Sequence, residues 1–516
     1  MAFIEKLLRD MTLDEKIGQL TMGNRGGVFH SNNPSDDDLL DDLRAGRLGS
    51  LIGIYGEDAT ARLQRIAIEE TRLRIPLIFA CDVMHGYRSV FPVPLGEASV
   101  FDPDLWERTA RMAACETRAD GVTLTFAPMI DVTRDPRWGR VVETPGEDPW
   151  LAARFAEAKV QGFQGSDLSR PDAIGATVKH IGAYGAVTAG RDYASVDVSE
   201  RQLNEVYLPP FRAAAQAGVA AIMPSFNDLA GIPTTASAAL LREKVRDRWG
   251  FDGVIISDFN AVPELIKHGV ANDLAQAATL ALHASVDIDM LGNAYMLGLP
   301  IALKRGDVTI AMIDEAVRRV LALKMKLGLF DRPFPAACPV AEREAQVAAA
   351  RALAREAATK SPVLLKNEQN VLPLKPQQRV ALIVPVRGGD LLLGGWQAAG
   401  NDVKVVTIRE GLSAALPPSS RSPPSTGPIK ATRCCGLSGS RFCSFFSSTG
   451  DFVAASRASA RAAATWASRS ATGRAAGNGR SNRPSFIFSV STRRTASSII
   501  AIMTSPRFSA IGRPSM

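Results

Sequence analysis

Short apolar runs, each closed by a polar residue and followed by an amphipathic stretch, recur from about residue 48 to residue 326, and no other feature limits the fold as tightly. The clearest is Val254-Ile255-Ile256, which follows the turn signal Gly250-Phe-Asp-Gly253 and runs into Ser257-Asp258. A continuous apolar run reads as a strand buried on both faces, the pattern of a parallel sheet. Leu48 to Tyr55, Pro76 to Cys81 before Asp82, Thr123 to Pro128, Ala173 to Lys179, Val219 to Met223 and Val286 to Met290 repeat it. Helical periodicity fills the intervals, with helices predicted over 59–72, 105–120, 150–162, 199–217, 236–249, 272–284, 297–305 and 308–326. Parallel strands need such crossovers, so the predicted class is α/β with a TIM-type (β/α)8 barrel. In that fold the carboxyl ends of the strands carry the chemistry. Asp258 stands at one of them, although an aspartate there also caps the helix that follows. This stretch alone leaves the two readings balanced.

The barrel is expected over residues 1–340, beginning with a helical lead-in over 1–22 whose Thr12-Leu-Asp-Glu15 is a capping box. A linker with a helix follows over 341–377, then a partial αβα sandwich domain over 378–416 with strands at 380–386 and 403–408. From Pro417 to Met516 the composition changes to Ser, Arg and Ala with Pro clusters. A disordered tail, a basic nucleic-acid-binding arm and translation in a shifted frame all give such a composition. The shifted frame is favoured, because the break falls inside a domain that cannot build a core from two strands. In any of the three, residues 417–516 are expected to carry no packed structure.

The overall charge of +7 belongs to that tail, where 13 Arg and 1 Lys face the single acid Asp451, leaving −6 for residues 1–416. A nucleic-acid partner therefore has no electrostatic support. No run of about 18 apolar residues suggests a membrane span. The amino terminus mixes charges through its apolar residues and does not read as a secretory signal. A cytoplasmic location is expected, or a periplasmic one if the start is mis-assigned. Six cysteines and five histidines without ligand spacing predict neither a disulfide framework nor a metal site. No cofactor is expected, and the oligomeric state is not read from the sequence.

Collected from the strand ends, the polar residues are Asp82 and His85, Asp131, Arg137 and Arg140, Lys179 and His180, and Asp258, with Met223 and Trp138 beside them. Each alone reads as an ordinary loop ion pair. Recurring at one end of successive strands, they suit a neutral polyhydroxylated ligand, whose hydroxyls need donors and acceptors and whose ring faces need an apolar floor. No glycine-rich phosphate cradle followed by Lys-Ser/Thr occurs, so phosphoryl transfer is unsupported.

Asp82-Val-Met-His-Gly-Tyr-Arg88, Phe91-Pro-Val-Pro-Leu-Gly96, Ala127-Pro-Met-Ile-Asp131, Asp135-Pro-Arg-Trp-Gly-Arg140, Glu143-Thr-Pro-Gly-Glu-Asp-Pro149, Val178-Lys-His180 and Ile256-Ser-Asp258 occur in that order. Together they resemble glycoside hydrolase family 3, in particular its β-glucosidases of bacterial periplasmic type, from about residue 5 to residue 415. The resemblance implies a retaining β-glucosidase that takes a small-molecule β-glucoside or oligosaccharide. It makes Asp258 the nucleophile and places Asp82, Arg140, Lys179, His180 and Met223 around the terminal sugar. Lys and Arg nearby are expected to keep Asp258 ionised. Phe226 stands where many relatives carry a tyrosine that supports the nucleophile, and Phe259 and Trp396 are placed on the leaving-group side. The resemblance also implies an acid/base glutamate on the second domain. Glu410 is the last glutamate, and only Asp451 follows it as a carboxylic acid, so that partner has no evident counterpart here. Impaired turnover is the expectation. The alternatives are a sugar-binding protein without turnover and, within the enzyme class, a β-xylosidase.

Overall fold

The computed structural model describes residues 2–24, 36–335, 340–367, 372–373, 380–382, 406, 408–415 and 498–500. It divides into two compact units, one of residues 1–364 with 393–403, the other of 365–392 with 404–516.

The first unit is built on eight parallel strands: β1 Thr21–Gly23, β2 Ser50–Ile52, β3 Ile78–Cys81, β4 Leu124–Thr125, β5 Gly175–Ile181, β6 Ala221–Pro224, β7 Val254–Ile255 and β8 Asp289–Met290. Neighbours in sequence are neighbours in the sheet, and β8 returns to pair with β1 through Thr21↔Asp289. Ile256, just past β7, bridges Ile288 in parallel and closes the ring. This is the expected (β/α)8 barrel. Met22, Leu51, Phe79, Leu124, Ala176, Ile222 and Ile255 are all buried in the strands, which explains the continuous apolar runs.

The helices start where local chemistry tells them to. Asp102 and Asp148 each precede a proline and cap the helices Pro103–Ala119 and Pro149–Gln164, accepting from Leu105 N at 3.1 Å and Leu151 N at 2.7 Å. These two helices pack closely because residue 162 is glycine; a Cβ there would stand 2.5 Å from Ala110 Cβ. The capping box is present, with Glu15 N donating to Thr12 Oγ1 and Thr12 N to Glu15 Oε2. It begins a second short helix, Leu13–Gln19, after Ala2–Asp10. The predicted lead-in over 1–22 thus breaks into two helices and strand β1. Thr21-Met-Gly is too short a run to declare itself, yet all three residues are buried.

The predicted helix over 199–217 is also interrupted. Pro209 and Pro210 cannot donate backbone hydrogen bonds, and Leu208 N reaches back to Leu203 O across a wider turn spanning Leu203–Tyr207. Below the site, Asp287 ties β7 to β8. Its carboxylate accepts from Ile255 N at 2.8 Å, from Arg246 at 2.5 Å and from Arg319 at 2.8 Å, and so fixes the strand that leads into Asp258. No helix among the described residues is long and apolar enough to cross a membrane.

In the second unit, Val380–Leu382 forms a strand within the expected stretch 380–386, and Ile408–Ala415 is a helix that takes up the last residue of the expected strand 403–408. The second expected strand, 403–408, otherwise lies outside the described residues. Ser498–Ile500, in the stretch expected to carry no packed structure, pairs in parallel with Val380–Leu382. The rest of 417–516 lies outside the described residues.

Candidate active site

Five strand ends bring the candidate residues together. Asp82 directly follows β3, the loop after β4 carries Asp131, Arg140 and Glu143, β5 carries Lys179 and His180, β6 carries Met223, and Asp258 follows β7. Regular alternation would send neighbours Lys179 and His180 to opposite faces of the sheet. The β5–β6 register is irregular here: Lys179 pairs with Met223, but Pro224 pairs with Ile181, skipping His180. An extra residue in a strand re-aims side chains, and both can then serve the same site. The Lys179–His180 peptide is cis. Gly182 follows with φ 135°, and a Cβ there would lie 2.3 Å from Ser225 Oγ, so only glycine fits this close turn.

Lys179 Nζ bonds Asp82 Oδ1. His180 is held by Asp131, whose Oδ2 accepts from His180 N at 2.8 Å and lies 3.0 Å from its Nδ1. His180 Nε2 stands 3.4 Å from Asp258 Oδ2. Asp258 Oδ1 accepts from Phe259 N at 2.6 Å, whereas Oδ2 is buried and accepts no hydrogen bond from the described residues. Arg140 grips both oxygens of Glu143 at 3.1 and 2.9 Å and spreads its guanidinium over the Tyr184 ring, 5.8 Å from its centroid.

Burial governs the ionisation of this cluster. It raises Asp258 to about 6, against the opposing pull of Lys179, the Phe259 N–H and Arg140. Lys179 and Arg140 limit the rise without reversing it, and Asp258 is still mostly ionised at neutral pH. Burial likewise raises Asp131 to about 7, opposed by the His180 N–H and Arg140. It pushes His180 well below its ordinary value, and the positive charges of Arg140 and Lys179 push the same way. The imidazole is neutral at physiological pH.

Asp82 and Lys179 thus form one pair and Asp131, His180 and Asp258 a second chain of contacts, while Lys179, Arg140 and Asp82 act on Asp258 by charge. Met223 is buried on β6 beside Lys179. His85 is buried as well. Arg137 does not join them; it is exposed and bound to Asp135. Trp138 is buried and donates its Nε1–H to Asp192 at 2.9 Å. Phe226, standing where the resemblance suggests a tyrosine, has its ring 4.4 Å from that of Tyr193. Phe259 is 56% exposed, and Trp396 lies outside the described residues.

Sequence reasoning passed over the aromatic wall of Tyr184 and Tyr193. Tyr184 meets His180 edge-on at 5.2 Å and Trp138 at 5.1 Å. Burial, then Glu264, Asp258 and Asp192, push the Tyr193 phenol up to about 12. Their only signal was a tyrosine shortly after Lys179-His180, in a loop without periodicity. Among the described residues no group of His, Cys, Asp and Glu could hold a metal ion.

Carboxylates, a lysine, an arginine and a neutral histidine thus stand together at the carboxyl end of the barrel strands. Residues 12–323 match the sequence profile of the glycosyl hydrolase family 3 N terminal domain, and residues 362–484 that of the family 3 C-terminal domain. The chain belongs to glycosyl hydrolase family 3. It is 40% identical over 420 residues to a periplasmic beta-glucosidase of Salmonella typhimurium, covering 80% of this chain and 54% of the relative. A putative beta-xylosidase of Formosa agariphila is 33% identical, covering 74% of this chain and 53% of that one. The beta-glucosidase of Listeria innocua, solved in complex with glucose, matches with TM-score 0.74 at 37% identity, covering 80% of this chain and 59% of that chain. The chain thus spans about half the length of the curated relatives it matches. The C-terminal match extends past residue 416, where the sequence reading ended the resemblance.

Proposed function

We propose that the chain cleaves terminal non-reducing β-D-glucosyl residues with retention, through a covalent glycosyl-enzyme on Asp258. Asp82, Arg140, Lys179, His180 and Met223 form the subsite for that sugar. One observation carries the reading: Asp258 holds one oxygen by the Phe259 N–H and leaves the other, Oδ2, without a hydrogen bond from the described residues, 3.4 Å from His180 Nε2. A nucleophile needs such an oxygen, fixed in direction and not already engaged. Lys179 and Asp82, paired together, offer a donor and acceptors for sugar hydroxyls. Arg140 is itself fixed by its bidentate pair with Glu143 and by the Tyr184 ring. The relatives' names favour glucose or xylose as the sugar.

Attack requires the carboxylate, so a pKa of about 6 sets the pH dependence. Release of dinitrophenolate from 2,4-dinitrophenyl β-D-glucoside should fall about tenfold per pH unit well below 6. The β-D-xyloside should react more slowly, and the α-D-glucoside not at all. Equal rates on the two anomers would defeat the reading. A faster xyloside would transfer it to β-xylosidase.

A further inference from the structure

His180 stands between two carboxyl groups. Its backbone N–H and ring Nδ1 both meet Asp131 Oδ2, at 2.8 and 3.0 Å, and its Nε2 faces Asp258 Oδ2 at 3.4 Å. Asp131 and His180 are 2% and 1% exposed, and Asp258 is 9% exposed, so water does little to settle their protons. A neutral imidazole has one N–H and can donate to one carboxylate only. Were both acids ionised, one of them would face a nitrogen lone pair.

Two proton arrangements satisfy both contacts: an imidazolium between two carboxylates, or a neutral imidazole with one acid protonated. The surrounding charges choose the second. Arg140, from the loop after β4, and Lys179, on β5, join burial in opposing an imidazolium. Glu143 on the same loop discourages a charge on Asp131, and Asp82 at the end of β3 acts likewise on Asp258. Of the two acids Asp131 is the more deeply buried, 2% exposed against 9% for Asp258, and burial is the largest cause opposing its charge.

We propose that Asp131 is a positioning residue that works as a neutral acid, donating its carboxyl proton to His180 Nδ1 and so keeping the Nε2 proton turned toward Asp258 Oδ2. This rests on Asp258 being the nucleophile, and it adds which tautomer of His180 supports it and what imposes that tautomer. A contact of 3.4 Å is long for a hydrogen bond, as such bonds commonly are before substrate arrives.

Asparagine separates this role from packing. An amide oxygen in place of Asp131 Oδ2 can still accept the His180 backbone N–H, but it cannot donate. Nδ1 must then carry the imidazole proton, and Nε2 presents its lone pair to Asp258. A change that preserves shape therefore flips the tautomer.

The test is a set of ¹⁵N imidazole spectra, tractable because the chain has five histidines, with His180→Gln assigning the signal. At pH 6 the wild-type ring should be neutral with its proton on Nε2, and Asp131→Asn should move that proton to Nδ1. In the variant, the acidic limb of dinitrophenolate release should also rise by about one to two pH units, the worth of a hydrogen bond to a charged group. If Asp131→Asn does not fold, the wild-type titration decides: raising the pH through about 7 should shift the proton from Nε2 to Nδ1 with the ring neutral throughout. A wild-type ring already protonated on Nδ1 at pH 6, or doubly protonated there, overturns the proposal. The spectra require no turnover, so failure to cleave glucosides would count against the glucosidase reading alone.

Discussion

Asp258→Ala will lower dinitrophenolate release from 2,4-dinitrophenyl β-D-glucoside by roughly 10⁴–10⁶-fold, the scale on which losing a nucleophile is felt. The loss should be in chemistry, with the fold retained. Among the described residues Asp258 Oδ1 accepts from the N–H of its neighbour Phe259, and Oδ2 has only the long 3.4 Å contact with His180 Nε2 to lose. Removing a carboxyl whose ionised form is opposed by burial also removes a desolvation cost. The melting temperature should therefore stay level or rise. An unchanged rate, with the fold intact, would mean that another carboxylate attacks.

The second large effect concerns the leaving group. We propose that no acid/base serves this site, and cellobiose should then form the glycosyl-enzyme at least about 10²–10⁴-fold more slowly than the dinitrophenyl glucoside, because a sugar alkoxide needs a proton to leave. The C-terminal family match runs through residues 362–484, yet beyond Glu410 its only carboxylic acid is Asp451. Dinitrophenolate leaves unaided, so the glycosyl-enzyme should still form. The same missing group would serve as base in the second step, so the intermediate should then break down slowly. A burst of about one equivalent per chain, followed by a slow phase that azide accelerates, is the expected trace. Cellobiose turnover within about tenfold of the activated substrate would show that an acid is present after all.

The barrel was legible because its strands are buried on both faces and announce themselves as apolar runs. β1 was not, since Thr21–Gly23 has three residues and includes a glycine. The wide turn at Leu203–Tyr207 was legible only in part: Pro209-Pro210 marked a break without saying how the backbone would absorb it. Asp82, Arg140, Lys179, His180 and Asp258 could be collected as polar residues at strand ends, before any contact was known. What joins them could not. The irregular pairing that lets Lys179 and His180 share one site depends on β6, a strand more than 40 residues away. The height of the Asp258 pKa was illegible for a similar reason. Charges can be counted in a sequence, whereas the burial that outweighs them comes from the whole barrel.

Asp131 shows the same limit. In sequence it is one acid among several before Asp135-Pro-Arg-Trp. Only the fold turns it onto His180, and only the fold removes the water that would otherwise make its proton unimportant.

The most direct measurement is the mass of the peptide containing Asp258 after incubation with 2,4-dinitrophenyl 2-deoxy-2-fluoro-β-D-glucoside. The fluorine slows breakdown of the intermediate, so the sugar should be found esterified to Asp258 and nowhere else. A fluoroglucosyl group on a different carboxylate, with the Asp258 peptide unmodified, would contradict the assignment of the nucleophile.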